Sequence, residues 1–490
     1  MSTTELPDAQ KVRLPQVSAD ENALINSLLA EIHTRRLRNG LRTSYFESRR
    51  AIRSAGTIVP PHYFQLGLAL GWCAKAVTGL GRRCNLEGYV WPDGDLADVG
   101  GDKLWDDNHL SSEVDAAINA ALLHGPAFLI NTVGEDDEPE SLIHVKDATE
   151  ATGTWNRRRR RLDNLLSVTG TDKDGRILSL ALYLDSETIT AARDRANLAW
   201  TVDRAEHDFG VPAEVVAYQP SPKRPFGRSR LTRPMMGLQD AAVRALIRRE
   251  GHMDVFSYPE LWMLGADESA FVNADGVQKS IWEVRLGRIK GIPDDEDAPD
   301  ALARADVKQF PAASPEPHLK DINALAKLFA REASLPDTAL AISEMANPTS
   351  AESYDASQYE LIAEAEGAVD DFRPPLRRSF VRGLAVLNGI AMAEVPSEWR
   401  SIDSRWRNPR YQSRSAESDA GQKQLTAVPW LAETEVGLQL IGLTEQQARL
   451  ALAERRRAAG GSLLDRLRAA AASAGDDNSG VTDGAGDPQG

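Results

Sequence analysis

The side chains best suited to acid–base or metal chemistry are thinly spread over this sequence of 490 residues. It contains eight histidines and two cysteines, and no histidine lies at zinc-ligand spacing from another histidine or from a cysteine. We interpret the histidines as surface or core-edge residues, and Cys73 and Cys84 as small buried apolar side chains. The sequence also lacks a phosphate-binding P-loop and a G-x-S-x-G nucleophile elbow, so neither a catalytic site nor a cofactor is expected.

A row of carboxylates is the one feature that suggests a metal. It consists of Asp93, Asp95, Asp98, Asp102, Asp106 and Asp107. Its spacing does not match an EF-hand loop, which needs ligands at alternate positions and a glycine at the sixth. A solvated acidic loop is the simpler interpretation, and a metal-dependent enzyme that uses these carboxylates is kept as an alternative.

The run of arginines from Arg157 to Arg161 is the sharpest basic feature. Its simplest interpretation is a solvated turn whose charge keeps other strand edges from pairing with it. The functional interpretation is a contact with phosphate or with a protein partner. Nothing in either charged group points to a particular enzymatic reaction.

Composition limits the classes of function. The chain has 57 Lys and Arg against 72 Asp and Glu, a formal net charge of −15, which argues against a grip on nucleic acid over a broad basic face but permits a few local contacts. Two cysteines imply no disulfide framework and a reducing compartment. Neither a bilayer-spanning apolar run nor a signal peptide is recognisable, so we expect assembly in a cytoplasm without a membrane partner.

Start and stop signals mark several helices. Ser18 with Glu21, and Thr349 with Glu352, match the capping box, in which the hydroxyl and the carboxylate each accept a backbone N–H of the first turn. Gly125 is a plausible end for a helix over 111–125. An apolar stripe follows Thr349 as far as Phe372, and Pro374-Pro375 is expected to end or kink that helix.

Between residues 126 and 218 the apolar period changes from that of helices to that of strands. Short segments such as "PAFLINTV" and "RILSLALYL" are separated by turn signals such as "DKDG", which predicts an antiparallel region of four to six strands. Helices return from residue 233 onward. The pattern as a whole predicts an α+β fold.

Several segments together resemble the portal proteins of tailed bacteriophages, in the branch common among phages of actinobacteria. They are "TSYFESRRAI", "LALGWCAKAVTGLGRRCNLEGY", "PFGRSRLTRPMMGLQDAAVRALIRREGHMDVFSYPELWMLG", "QFPAASPEPHLKDINALAKLFAREASLPDTAL" and "NPTSAESYDASQYELIAEAE". The resemblance covers residues 20–395 and rests on the order and spacing of these segments.

The resemblance implies a ring of about twelve copies at one capsid vertex, through which a terminase motor pumps double-stranded DNA without sequence specificity. Other implied partners are head-completion or adaptor proteins, tail proteins, and the major capsid and scaffolding proteins. The regions would be a flexible N-terminal arm (1–17), the first part of the wing (18–232), a stem helix (233–255), the clip (256–316), a second stem helix (317–334), the channel loop (335–350), a channel-side helix with the second part of the wing (351–425), a helical crown (426–474) and a disordered tail (475–490).

The channel loop is the candidate site that the resemblance implies. Its expected DNA-facing residues are Asp337, Ser343, Glu344, Asn347, Thr349 and Ser350. The loop contains acids but no Lys or Arg, as a surface that must let phosphates slide would require. Two alternatives stay open beside a portal: the metal-dependent enzyme above, and an oligomeric adaptor or scaffold that does not conduct DNA.

Overall fold

A computed structural model describes residues 11–50, 52, 61–194, 199–256, 260–266, 289–293, 306–310, 314–340, 356–410, 414–444 and 446–458. The chain divides into two compact units, Met1–Pro409 and Arg410–Gly490. Helices and mostly antiparallel sheets confirm the predicted α+β class. None of the described helices is long and apolar enough to cross a membrane.

Ten helices and thirteen strands lie within these described residues. The helices are α1 Ala19–Phe46, α2 Trp72–Gly81, α3 Gly101–Asp107, α4 Leu110–His124, α5 Arg233–Phe256, α6 Glu316–Glu332, α7 Tyr359–Leu387, α8 Arg414–Ala427, α9 Glu435–Leu440 and α10 over 446–458. The strands are β1 Leu86–Val90, β2 Pro126–Val133, β3 Ser141–Asp147, β4 Ala151–Asn156, β5 Arg161–Thr171, β6 Ile177–Tyr183, β7 Glu187–Arg193, β8 Trp200–Glu206, β9 Ala213–Ala217, β10 Glu260–Ala266, β11 Ile289–Pro293, β12 Asp306–Phe310 and β13 Asp403–Trp406.

Two predicted helix ends are confirmed. At the start of α1 the Ser18 hydroxyl accepts the Glu21 N–H at 3.2 Å, and the Glu21 carboxylate accepts the Ser18 N–H at 2.8 Å. At the end of α4, Gly125 has φ 114°, a backbone conformation that favours glycine. Both ends are local signals, which is why the sequence alone was sufficient to find them.

Residues 11–17 differ from the flexible arm predicted over 1–17. Val12 and Leu14 are buried against α1, and their N–H groups donate to Asn26 at 3.0 Å and to Asn22 at 2.9 Å. These two asparagines also donate back to the carbonyls of Val12 and Leu14. The segment is therefore fixed by hydrogen bonds between its backbone and two asparagine side chains of α1; residues 1–10 lie outside the described part.

The region between 126 and 217 holds eight strands rather than the four to six predicted. They form a three-stranded sheet, β3-β2-β9, and a five-stranded sheet, β4-β5-β6-β7-β8. The missed strands are β4, β7 and β8. They carry little apolar alternation because β4 is rich in small residues and the edge strand β8 is mostly exposed.

The two faces of the three-stranded sheet pack against different layers. On one face Ala127 and Leu129 join a core with α4 and α7. On the other, Phe128 and Ile130 join a core with Leu162 and Leu165 of β5. The period-2 alternation of β2 thus places this sheet between a helical layer and the five-stranded sheet.

Helix α7 continues through Pro374-Pro375, so of the two predicted outcomes, an end or a kink, the end is wrong. Proline removes two N–H donors, but apolar residues on both sides of the pair, Phe372 and Leu376, are almost fully buried. Farther along, the Phe380 ring stacks on Tyr89 with 3.8 Å between ring centroids. Burial of apolar side chains on both sides of the prolines stabilises one continuous helix and offsets the hydrogen bonds that the prolines cannot make.

Strands β1 and β13 come from distant parts of the sequence. They pair antiparallel, with Leu86 opposite Trp406 and Val90 opposite Asp403. Neither strand was predicted, since each is short and the second lies in a stretch that reads as irregular. The pairing joins the first part of the chain to residues beyond α7.

A fourth sheet, which has three strands, lies in the stretch 256–316. Strand β10 pairs parallel with β11 and antiparallel with β12. The acidic stretch 294–300 lies outside the described residues. In the second unit, the Ser418 hydroxyl of α8 donates to the Ile441 carbonyl at 2.9 Å, and Ala448 of α10 is buried.

Candidate functional site

The structure describes both ends of the predicted channel loop but not its centre. Asp337 begins a one-turn 3₁₀ helix, Asp337–Ala339, shortly after α6. Ser343, Glu344, Asn347, Thr349 and Ser350, with the capping box of Thr349 and Glu352, lie outside the described residues. The geometry of the site is therefore that of the two helix ends, α6 and α7, between which the loop runs.

The C-terminal end of α6 is closed by a Schellman motif. Leu335 N–H donates to the Ala330 carbonyl at 2.8 Å, and Ser334, with φ 49°, supplies the left-handed residue. Leu335 is buried, and its Cδ2 lies 3.4 Å from where a Cβ on Gly79 would stand. This motif ends the helix firmly and fixes the direction in which the chain leaves it.

A single buried guanidinium, that of Arg230, holds both helix ends. Its Nη2 donates to the Ala333 carbonyl after α6 at 2.6 Å, and its Nε donates to the Ala76 carbonyl of α2 at 2.8 Å. Its Nη1 forms an ion pair with Glu364 in the second turn of α7. Only 3% of the Arg230 side chain is exposed, so these contacts replace the water that it gives up.

The start of α7 has further polar contacts. The Tyr218 hydroxyl also binds the Glu364 carboxylate; burial, and then that carboxylate, raise the pKa of Tyr218. Arg83 pairs with the buried Gln358 directly before α7. Two turns beyond Glu364, Asp371 accepts the Gln219 N–H at 3.0 Å, and burial raises the pKa of its carboxyl group.

We call Arg230, Glu364, Tyr218 and the end of α6 through Leu335 the loop anchor. Its groups are a permanently charged guanidinium, a paired carboxylate and a phenol whose pKa is raised, and they provide rigidity rather than a nucleophile or base. No sequence signal points to Arg230, which is one of three arginines in "RSRLTR" and has no feature to distinguish it. Its role depends on elements that meet only in the folded chain.

The arginine run is an exposed turn between β4 and β5, in line with its simplest interpretation. All five side chains from Arg157 to Arg161 are exposed. The Asn156 carboxamide oxygen accepts the N–H groups of Arg158 at 3.0 Å and Arg159 at 2.9 Å. The turn is thus shaped by its own backbone contacts, which leave the guanidinium groups at the surface.

The carboxylates from Asp93 to Asp107 are exposed as well, and the last three lie on α3. Among the described residues, no group of three or more His, Cys, Asp or Glu side chains is arranged to hold a metal ion. The described residues therefore contain no metal site for the alternative of a metal-dependent enzyme.

Comparison with protein families identifies the chain. The family model for phage portal proteins of the SPP1 Gp6-like type matches residues 28–461. This chain belongs to that portal family. The match continues past residue 395, where the sequence resemblance ended, and it includes the described helices of the second unit.

Solved structures give a weaker comparison for this portal chain. It is similar to a chain of the virion of a native gene transfer agent particle, with 15% identity over 76% of this chain and 90% of that one, at a TM-score of 0.37. It is also similar to a chain in the neck of the native particle computed with C12 symmetry, with 14% identity over 82% and 98%, at a TM-score of 0.37. No curated protein sequence matches the chain.

Proposed function

We propose that this chain is the portal subunit of a tailed phage or phage-like particle, where about twelve copies form a ring at one capsid vertex. DNA passes through the ring during packaging and ejection. The observation that carries the proposal is the portal family match over residues 28–461. A portal is a structural protein, so we infer no enzymatic activity and assign ATP hydrolysis to the terminase that docks on the ring.

The loop anchor supports a channel role for residues 335–350. A loop that contacts moving DNA needs ends that are held in fixed positions. The loop anchor can hold them, because a charged network that is buried and fully hydrogen-bonded is rigid. In the proposal, Asp337, Ser343, Glu344, Asn347, Thr349 and Ser350 face DNA or the loop of the next subunit. The stretch 256–316 is the clip, α5 and α6 are stem helices, and the second unit supplies the crown.

Negative-stain electron microscopy of the purified chain tests the ring. We expect a closed ring whose central hole admits duplex DNA. A closed assembly too narrow for DNA would favour the adaptor or scaffold instead. A compact monomer that binds Mg²⁺ or Mn²⁺ would favour the enzyme that uses the acidic row.

The channel loop is tested by placing positive charge in it. Ser343→Arg with Asn347→Arg should leave the ring intact but slow DNA packaging, because each added guanidinium binds phosphate. The defect should lessen as salt rises, since salt screens the attraction. The matched control places two arginines in the tail, at Ser479 and Thr482, and should package normally. A loop variant that packages at the wild-type rate at low and high salt would remove this loop from the DNA path.

A further inference from the structure

The arginine turn is part of a larger basic surface. Trp155, two residues before Arg157, packs on Phe226 with 6.2 Å between ring centroids, and the Arg35 guanidinium lies 5.9 Å from the Phe226 ring. Exposed basic residues of α1 and of the neighbouring loop stand around these contacts. We call the following set the basic surface: Arg157 to Arg161, Arg38, Lys223 and Arg224.

Most of these positive charges have no carboxylate partner among the described residues. Among the described residues, the side chains of the basic surface form no ion pair with a carboxylate. Although its side chain reaches the surface, partial burial, and then the like charges of Arg35 and Arg224, lower the pKa of Arg38. Asp163 lies beside the turn, where its carboxylate accepts two bonds from Asn156, and its one negative charge offsets only a small part of the positive charge. An uncompensated cluster of this kind, in a chain of net charge −15, favours an anionic partner.

An equally concentrated acidic surface lies elsewhere on the same unit. It joins α3 to the turn between β2 and β3, because Lys103 of α3 pairs with Glu140 at 3.1 Å and Asn108 donates to the Ser141 carbonyl at 2.8 Å. All its carboxylates are exposed. They belong to Asp102, Asp106, Asp107, Glu135, Asp136, Asp137, Glu138 and Glu140.

The two surfaces belong to layers on opposite faces of the three-stranded sheet. Leu104 of α3 and Ile143 lie in the core on the helical face. Leu162, next to Arg161, lies in the core on the other face with Phe128. The two surfaces therefore lie on different faces of the chain.

We propose that the basic surface of one subunit docks on the acidic surface of the next copy around the ring. A head-to-tail ring joins two different faces of the same chain, and these faces must be complementary. Opposite charges on separate faces meet that condition, and they also set the orientation of copies that repel each other as whole molecules. The inference deepens the proposed portal function and rests on the ring that it requires.

Charge reversal tests the pairing. The basic-face variant is Arg157→Glu, Arg158→Glu and Arg159→Glu; the acidic-face variant is Asp106→Lys, Glu135→Lys and Asp136→Lys. Each should raise the protein concentration needed for half-assembly by about tenfold or more, because like charges would meet at every interface. The variant that carries both reversals should restore assembly. Native mass spectrometry and light scattering measure the ring fraction, and circular dichroism checks the fold.

A second double variant separates local pairing from net charge. It combines the basic-face variant with Asp174→Lys, Asp203→Lys and Glu206→Lys, three exposed carboxylates outside the acidic surface. Both double variants keep the wild-type formal charge of −15, yet this one should stay as defective as the basic-face variant alone. Equal rescue by both would mean that net charge, not pairing, controls assembly, and would overturn the inference.

The remaining outcomes separate this inference from the portal function. If wild type forms rings and both single-face variants form them equally well, the pairing is wrong and the portal stands. If the basic-face variant assembles normally but loses affinity for duplex DNA in a filter-binding assay, the surface contacts DNA instead. A wild-type chain that forms no ring at any concentration contradicts the ring and the pairing together.

Discussion

Buried charge in this chain is concentrated at a few paired residues. Arg230 contacts Glu364 and two carbonyls, and Arg382 donates to Glu214 at 2.7 Å beside the three-stranded sheet. Burial of a charged group costs several kcal/mol unless the group is paired and hydrogen-bonded. Removal of one partner therefore leaves the other as an uncompensated buried charge. Such residues fix geometry more than they add net stability.

Replacement of Arg230 by Met tests this at the loop anchor. The similar volume keeps the packing, but the Glu364 carboxylate and two carbonyls lose their donor, so the free energy of unfolding should fall by about 3–5 kcal/mol. Urea unfolding followed by circular dichroism measures the loss. The control is Arg233→Met at the exposed start of α5, which should change stability by less than about 0.5 kcal/mol. Equal effects would show that Arg230 is not an anchor.

Glu21 makes the stability of the folded chain depend on pH. Its carboxylate binds Arg204 at 2.8 Å and the Ser18 N–H at 2.8 Å. These contacts, the hydrogen bond from Arg204 first, lower the pKa of Glu21 to about 2. Since the folded-state pKa is lowered, the stabilisation is complete above the ordinary pKa of 4.5 and is lost as pH falls toward 2.

Glu21→Gln keeps the capping hydrogen bonds and removes the charge. At pH 7 it should lower the free energy of unfolding by about 0.5–1 kcal/mol, a modest value because solvent screens the partly exposed Arg204. The difference from wild type should shrink between pH 4.5 and 2, measured by urea unfolding over that range. Glu206→Gln, at an exposed carboxylate of β8, is the control. A difference that stays constant with pH would contradict the ion pair as its source.

At the scale of elements, α7 joins the loop anchor to the core of the first unit. It begins next to Gln358, passes Glu364 and Asp371, and then packs against β2 and β3. Two glycines in this helix have opposite surroundings. A Cβ on Gly383 would stand 2.9 Å from Ile143 Cδ1 and Leu104 Cδ2, whereas Gly367 has no heavy atom within 4 Å of that position.

The same substitution should therefore have opposite signs at these two sites. Gly367→Ala should stabilise the chain by about 0.5–1 kcal/mol, because alanine has the better helix propensity. Gly383→Ala should destabilise it by about 1–3 kcal/mol, because the methyl group presses on two buried side chains. Thermal unfolding of both variants measures the pair. A gain at both positions would show that Ile143 and Leu104 move away at little cost.

Local signals in the sequence predicted much of the element scale. The capping box at Ser18, the glycine after α4 and the boundaries of β2 follow from a few neighbouring residues, and the structure confirms them. The prolines in α7, the pairing of β1 with β13 and the contacts of Arg230 depend on residues far apart in sequence. A short stretch of sequence does not show which residues will be buried around a proline or which distant residues will pair. These three features therefore required the three-dimensional structure.

At the scale of the whole molecule, charge is the dominant feature. With −15 on each chain, a ring of about twelve copies carries on the order of −180, a field that repels DNA at long range. The acidic stretch "DDEDAPD", 294–300, adds to this charge within the predicted clip. Because this stretch lies in sequence between the two proposed stem helices, we expect it to be a docking end rather than a part of the ring contacts.

Deletion of residues 294–300 tests the clip. Ring formation should be unchanged, since the described surfaces that we assign to the subunit contact lie far from residues 294–300 in sequence. Binding of terminase or connector proteins should weaken, measured by pull-down with each partner. A variant in which these seven residues are replaced by Gly and Ser separates loss of charge from loss of length. Wild-type capture of both partners by the deletion variant would assign docking to another region.

The pairing of β1 with β13 has a consequence for synthesis. When Leu86 leaves the ribosome, its partner Trp406 has not yet been made, and the two meet only after nearly the whole first unit has been translated. Contacts between such distant residues form slowly because a long loop must close first. The nascent chain must therefore keep Tyr89 and its neighbours from unsuitable partners until α7 arrives. Each subunit becomes competent for assembly late in its own translation, which leaves unfinished chains unable to enter a ring.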